Sequence, residues 1–119
     1  MSELVNFHVD QYASFETSVF WRDDSGFPVL MNDFHAQMQL RQTYDDTLIL
    51  TLTDDDGLTI TPAEGRIDIE ITPELTAEFD FVNCKYDLLA IGPDQVVTRI
   101  IEGFFTLRKG VTHDVPVGP

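Results

Sequence analysis

Residues 34–41, with the sequence FHAQMQLR, alternate strictly between apolar and polar side chains. Successive side chains of a β-strand point to opposite faces of a sheet, so this alternation predicts a strand that buries one face and exposes the other. The side that is expected to be buried comprises Phe34, Ala36, Met38 and Leu40.

The same period of two recurs along the chain, in segments that are separated by turn residues. Glycine, proline and aspartate occupy the breaks and supply the backbone conformations that turns require. Short strands with turn signals roughly every 8 to 12 residues predict an all-β sandwich or barrel, here of about seven or eight antiparallel strands. The predicted strands cover residues 15–22, 34–41, 48–53, 58–60, 67–71, 86–90 and 96–107.

One short helix is predicted directly after residue 71. Thr72 is a suitable N-cap, and Pro73 suits the first helical position. The segment from Thr72 to about Phe79 has room for one or two turns, which predicts a crossover between strands. Gly103 interrupts the last long strand and predicts a β-bulge there.

The apolar phase of each alternating segment predicts the hydrophobic core. In a sandwich, these side chains lie on the faces that the two sheets turn toward each other. The predicted core residues are Phe15, Val19, Trp21, Phe34, Ala36, Met38, Leu40, Leu50, Ile69, Tyr86, Leu88 and Ile100.

The chain length of 119 residues corresponds to one domain. We expect this β-sandwich domain to cover residues 1–112 and to be followed by an extended C-terminal tail, residues 113–119, which contains two prolines and a glycine. The first residues lack the basic and apolar segments of a signal peptide, and no apolar run approaches the roughly 18 residues of a membrane span. These features favour a protein that stays in a reducing cytoplasm or is built there into something larger, with no membrane partner.

The charge of the chain is unusual. Seven Lys and Arg residues stand against 21 Asp and Glu residues, which gives a formal net charge of −14. Such a surface repels phosphates, so direct nucleic-acid binding is not expected. Two interpretations stay open: the carboxylates keep the protein soluble, or they mimic nucleic acid and occupy the groove of a DNA-binding protein.

No stretch of the sequence matches a catalytic or metal-binding pattern. Cys84 is the single cysteine, so no intramolecular disulfide forms, and we expect it to be a structural thiol. Asp54–Gly57 begins like a calcium loop, but Leu52 and Ala63 fall where that loop needs carboxylates. The histidines lie too far apart for zinc-site spacing; they are His8, His35 and His113. We therefore predict a protein without enzyme activity, metal or cofactor.

Three longer segments carry a recognisable order of motifs: TSVFWRDDSGFPVLMNDFHAQMQLR (17–41), LILTLTDDDGLTITPAEGRIDIEIT (48–72) and YDLLAIGPDQVVTRIIEGFFTLRKGVTH (86–113). This order resembles that of a group of small tailed-bacteriophage and prophage proteins, which share a strand ending in Trp, a D-G-x-P turn, an A-x-M-Q-[LI]-R strand and a late Y-D-L strand. The pattern is also similar to the immunoglobulin-like N-terminal domain of phage baseplate upper proteins, and it covers about residues 10–113.

The resemblance implies an immunoglobulin-like β-sandwich and a structural or assembly role in a phage particle, in the tail, neck, baseplate or fibre attachment. It further implies that the protein is part of the virion, assembled in the bacterial host cytoplasm, and that its partners are other virion proteins. No active site comes with it. The alternative is a small acidic phage-encoded inhibitor of the anti-CRISPR type, a DNA mimic that acts on a host nucleic-acid-binding protein.

We also expect the protein to form a homo-oligomer, because phage tails and necks are built on closed rotational symmetry. The N-terminal segment and the C-terminal tail could each add to the exposed sheet edge of a neighbour. Other apolar residues fall opposite the core phase of the alternation, where they could meet a neighbouring copy or pack against the second sheet. The candidate interface residues are Leu4, Val5, Phe7, Phe20, Phe81, Ile101, Phe105, Val115 and Val117.

Overall fold

The computed structural model describes residues 3–111, which contain nine β-strands and one short α-helix joined by turns and loops. The helix, α1, spans Pro73–Ala77, and a 3₁₀ turn spans Pro62–Glu64. The strands are β1 (Glu3–Leu4), β2 (Phe7–Asp10), β3 (Phe15–Phe20), β4 (His35–Gln42), β5 (Leu48–Thr53), β6 (Leu58–Thr61), β7 (Arg66–Ile71), β8 (Asn83–Ile91) and β9 (Val97–Arg108).

The strands form two sheets. In sheet A the order is β9–β8–β4–β5, and β1 and β2 follow one another along the free edge of β9. Sheet B has the order β3–β7–β6. All neighbours pair antiparallel except β1 and β2, which run parallel to β9. The predicted all-β sandwich with one short helical crossover is confirmed.

The core lies between the two sheets and follows the predicted phase of alternation. Met38, Leu40 and Leu88 are fully buried, and the predicted core residues that keep some exposure still pack against the buried cluster. Those partly buried residues are Phe15, Val19, Trp21, Phe34 and Leu50. Cys84 is also fully buried, and burial raises the pKa of its thiol to about 12. The thiol therefore stays protonated and is part of the packing, as predicted.

The predicted crossover helix is present as α1, which joins β7 of sheet B to β8 of sheet A. Thr72 occupies the N-cap with an extended backbone, although its side chain makes no capping hydrogen bond. The buried Thr76 hydroxyl donates to the carbonyl oxygen of Ala13 at 2.9 Å and ties the helix to the loop after β2. No helix within residues 3–111 has the length and apolar composition to cross a membrane.

A β-bulge interrupts β9, but it lies at Ile100 and not at Gly103 as predicted. Leu88 pairs with Ile101 and Leu89 pairs with Arg99, which leaves Ile100 as the extra residue. An extra residue reverses the alternation, so the positions that point outward before the bulge point inward after it.

This reversal corrects the interface prediction for Ile101 and Phe105. Ile101 is 3% exposed and Phe105 is completely buried, so both belong to the core. Phe81 is likewise wrong as an interface residue, since it is buried against Phe79 with the ring centroids 5.2 Å apart. Phe81 lies in the loop between α1 and β8, where strand alternation does not apply.

The N-terminal segment also differs from the prediction, because it pairs with β9 of its own chain and is not free to join a neighbour. Val5 is half-buried, and the Phe7 ring lies in the core, 5.2 Å from the Phe105 ring between centroids. Leu4 remains exposed. The tail at residues 113–119, with Val115 and Val117, lies outside the described residues and stays a prediction.

Gly103 permits this N-terminal pairing. A Cβ atom at Gly103 would lie 2.1 Å from the carbonyl oxygen of Val5, so a side chain there and the close passage of Val5 exclude each other. Around this point the Tyr86 hydroxyl donates to the Val5 carbonyl at 2.5 Å, and the side-chain oxygen of Asn6 accepts from the Phe104 amide at 3.0 Å. The glycine therefore serves close approach of two strands.

Candidate protein-binding surface

The exposed side of sheet A carries a shallow concavity of about 530 Å³. Strands β1, β4, β8 and β9 line it, together with the turn between β4 and β5. We call this surface the outer face of sheet A; its side chains are those of Leu4, Gln39, Arg41, Asp46, Lys85, Asp87, Leu89, Arg99, Glu102 and Phe104.

Strand alternation determines which side chains reach this face. The core takes Leu40 and Leu88, so their sequence neighbours, among them Arg41 and Asp87, point outward. On β9 the bulge at Ile100 allows Arg99 and Phe104 to share the face, although one number is odd and the other even.

The register of the three central strands arranges the face into rows that run across the strands. Asp87 lies directly opposite Glu102, so two acidic side chains adjoin in the middle row. Arg99 Nε donates to Asp87 Oδ2 at 3.1 Å and offsets this repulsion. From β4 to β9, the first row is Arg41, Lys85 and Phe104; the second is Gln39, Asp87 and Glu102; the third is Gln37, Leu89 and Arg99.

Apolar side chains lie among these charges. Leu4 is 69% exposed and Phe104 is 47% exposed, and Leu89 in the third row is half-buried. Lys85, the cross-strand neighbour of Phe104, is paired with a carboxylate, because its Nζ lies 2.6 Å from Asp46 Oδ1. A shallow face that combines exposed apolar side chains with paired charges has the composition of a protein-binding surface.

The outer face of sheet B is acidic by contrast. Glu16 lies directly opposite Glu70, and Asp68 is two residues along β7, where it accepts a hydrogen bond from Ser18 Oγ at 2.6 Å. Phe20 is 50% exposed at the end of β3. The two clearly exposed candidate residues, Leu4 and Phe20, therefore lie on different sheets, and the structure does not bring them together.

Most residues of the outer face of sheet A were absent from the sequence-based set of interface residues. Phe104 and Arg99 were missed because unbroken alternation along β9 assigns one of them to the core. Nothing in the local sequence marks Lys85 or Asp87 as an interface residue. The bulge could have been suspected from the pair Ile100–Ile101, since two adjacent β-branched apolar residues disturb the period of two.

His35 lies on the outer side of its strand, as predicted, and pairs with a carboxylate. His35 Nδ1 is 3.0 Å from Asp54 Oδ2, and the other oxygen of Asp54 accepts from the Ala36 amide at 3.2 Å. The hydrogen bond and charge of Asp54 raise the pKa of His35. Burial raises the pKa of Asp54, but the hydrogen bonds from His35 and Ala36 outweigh it and lower that pKa overall. Within residues 3–111, no three His, Cys, Asp or Glu side chains converge as metal ligands.

This pair makes the stability of the fold depend on pH. Because folding raises the pKa of His35 above 6.5, protonation stabilises the folded state; the contribution is complete below pH 6.5 and is lost as pH rises through the raised value. We expect His35→Gln to reduce the fall in unfolding free energy between about pH 5 and pH 8. Urea unfolding at both pH values, followed by the fluorescence of Trp21, measures this difference. Equal falls in wild type and variant would contradict it.

Comparison with known proteins supports the fold and leaves the function open. No protein-family model matches the sequence, and no curated protein matches it. A solved chain from a study of multimeric cell-adhesive interactions of VGSC beta subunits is similar, with a TM-score of 0.51 and 10% sequence identity. The similarity covers 88% of this chain and 92% of that chain. The chain is an immunoglobulin-like β-sandwich, a fold that many unrelated functions share.

Proposed function

We propose that this chain is a non-enzymatic structural or assembly component of a tailed bacteriophage particle and acts through protein–protein contacts. The observation that carries the proposal is the outer face of sheet A, which is shallow, partly apolar and rich in paired charges. Exposed apolar side chains surrounded by polar ones mark sites of protein contact, whereas small-molecule sites are deeper and more enclosed. The sequence resemblance to small phage virion proteins supplies the biological setting.

The proposed lack of catalytic activity rests on the state of the reactive side chains. Cys84 is fully buried and its thiol pKa is raised to about 12, so it is neither accessible nor ionised. The His35–Asp54 pair lies on the surface beyond the end of sheet A's concavity and is not among the residues that line it. These side chains stabilise the fold and do not form a reaction centre.

The distribution of acidic residues supports a particle component over a DNA mimic. Mimicry requires carboxylates at phosphate-like spacing along one continuous surface. Here Asp45 and Asp54–Asp56 lie beyond opposite ends of β5, and Glu16 and Glu70 lie on the outer face of sheet B. Acidic residues therefore surround the sandwich and leave the outer face of sheet A balanced in charge.

Mass spectrometry of purified phage particles tests the proposal. Particles from bacteria that carry the gene are expected to contain this chain in a constant ratio to the other tail proteins. An inhibitor would be missing from the particles and would be recovered from infected cells in complex with a host nucleic-acid-binding protein. That outcome would overturn the assembly role in favour of the inhibitor.

A further inference from the structure

We propose that the outer face of sheet A binds the same face of a second copy of this chain and forms a two-fold symmetric dimer. The inference rests on the proposed function, because it names a partner for the surface that assembly would use. A two-fold interface brings one patch against its own copy, so the patch must be complementary to itself. The charges and apolar side chains of this face meet that requirement.

Opposite charges occupy adjacent rows of the face. Arg41 and Lys85 lie side by side in the first row, and Asp87 and Glu102 lie side by side in the second. The rows are two residues apart along the strands, which corresponds to about 7 Å. The face therefore presents a positive stripe next to a negative stripe, with Asp46 beside Lys85 and Arg99 beside Asp87.

A two-fold axis that lies in the interface, crosses the strands and passes between these rows exchanges the two stripes. It places the positive stripe of each copy over the negative stripe of the other, so that Lys85 of one copy faces Asp87 of the second. An axis parallel to the strands would instead set like charges against each other. Phe104 stands at the end of the positive stripe with 47% of its surface exposed. The same axis places Glu102 of the second copy opposite Phe104, so the ring is covered and Phe104→Glu would set two carboxylates against each other.

Charge also selects a second copy as the occupant. Each chain carries a net charge of −14, so two copies repel each other through their acidic surfaces. On the outer face of sheet A, three of the chain's seven Lys and Arg side chains offset three acids, so this face itself carries no net charge and is where two copies repel each other least. A strongly basic partner would be attracted to the acidic surfaces elsewhere, such as the pair Glu16 and Glu70 on sheet B.

Two phenylalanines that differ mainly in location provide a matched test. Phe104 is 47% exposed on sheet A and Phe20 is 50% exposed on sheet B. Sedimentation equilibrium of the full chain at about 0.15 M ionic strength, where charges are screened beyond about 8 Å, measures the dimer dissociation constant. We expect Phe104→Glu to raise this constant about tenfold or more and Phe20→Glu to raise it less than about twofold. Both substitutions add the same charge.

Charge reversal tests the alignment of the stripes. Lys85→Glu and Asp87→Lys are each expected to weaken the dimer, and the double variant is expected to restore it because both facing pairs become opposite again. Asp87→Lys is the sharper single change. Asp87→Lys makes the chain less negative, so weaker repulsion between the two copies alone would tighten the dimer. The proposed alignment predicts the opposite, because it sets the introduced lysine against Lys85 of the second copy.

Three results would overturn the dimer: wild-type protein that stays monomeric at every concentration, equal weakening by Phe104→Glu and Phe20→Glu, or no restoration by the double charge reversal. Lys85→Glu provides a second variant should Phe104→Glu fail to fold. Failure of the dimer is distinguishable from failure of the proposed function. A chain that is present in particles but monomeric in solution refutes the dimer alone, and a dimeric chain that is missing from particles refutes the assembly role alone.

Discussion

Replacing Phe105 by Ala is expected to lower the free energy of unfolding by about 3–5 kcal/mol, as removal of a fully buried aromatic side chain does. The Phe105 ring lies within 5.0–5.3 Å of the rings of Phe7, Phe15 and Tyr86, measured between centroids. Its loss therefore leaves a cavity where sheet A, sheet B and the N-terminal strand meet. Urea unfolding of the wild type and the variant, monitored by Trp21 fluorescence, measures the change.

Phe104→Ala is the matched control, because it removes the same atoms from the residue immediately before Phe105 in the same strand. Phe104 points outward and is 47% exposed, so its replacement is expected to change stability by less than about 1 kcal/mol. If Phe105→Ala were no more destabilising than Phe104→Ala, the register of β9 after its bulge would be wrong. The outward position of Phe104 on the binding face would be wrong with it.

Gly103→Ala is expected to destabilise the fold by about 2–4 kcal/mol through the N-terminal strand. The added Cβ would lie 2.1 Å from the Val5 carbonyl oxygen, so β1 must move away from β9. Three hydrogen bonds depend on this approach: Val5 to Glu102 at 2.9 Å, Tyr86 to Val5, and Phe104 to Asn6. Each contributes about 0.5–1.5 kcal/mol. Urea unfolding measures the loss.

A truncated chain that begins at Phe7 separates this mechanism from a local defect in β9. Without Val5 and Asn6, an alanine at position 103 has no such neighbour, so the substitution is expected to be nearly neutral in the truncated chain. The effects of truncation and substitution should therefore be far from additive. Full additivity would mean that Gly103 matters for a reason other than the passage of Val5.

The central strands and most of the core could be predicted from the sequence because their signal is local. The alternation in residues 34–41 identifies β4, and its buried side chains Ala36, Met38 and Leu40 are those that the phase predicts. The same holds for α1, whose start is marked by Pro73 at the first helical position after the extended residue Thr72. Local patterns of this kind need no knowledge of which strands are neighbours.

The N-terminal strands and the bulge could not be predicted, because each depends on residues far along the chain. β2 is a strand because it pairs with β9, where Phe7 lies opposite Phe105, and its own sequence does not predict this pairing. The extra residue Ile100 becomes visible only against the register of β8. Because the bulge changes the phase of alternation, Ile101 and Phe105 point into the core and Phe104 points outward, which is the reverse of what unbroken alternation predicts.

The candidate binding face depends on register in the same way. The sequence shows a net charge of −14, but it does not show which charged residues of different strands become neighbours. Pairing of β4, β8 and β9 brings Arg41 next to Lys85 and Asp87 next to Glu102, although members of each pair are 44 and 15 positions apart in the printed sequence. These stripes of charge arise from the pairing of strands that are distant in sequence, and amino-acid composition contains no information about that pairing.

Plaque formation by a phage that lacks this gene tests the proposed role of the chain in particle assembly through the outer face of sheet A. The phage is complemented from a plasmid with wild-type chain, with Phe104→Glu or with Phe20→Glu, each shown to be folded and equally abundant. We predict that wild type and Phe20→Glu restore the titre and that Phe104→Glu does not. Equal titres with Phe104→Glu and wild type, or full titre without the gene, would contradict it.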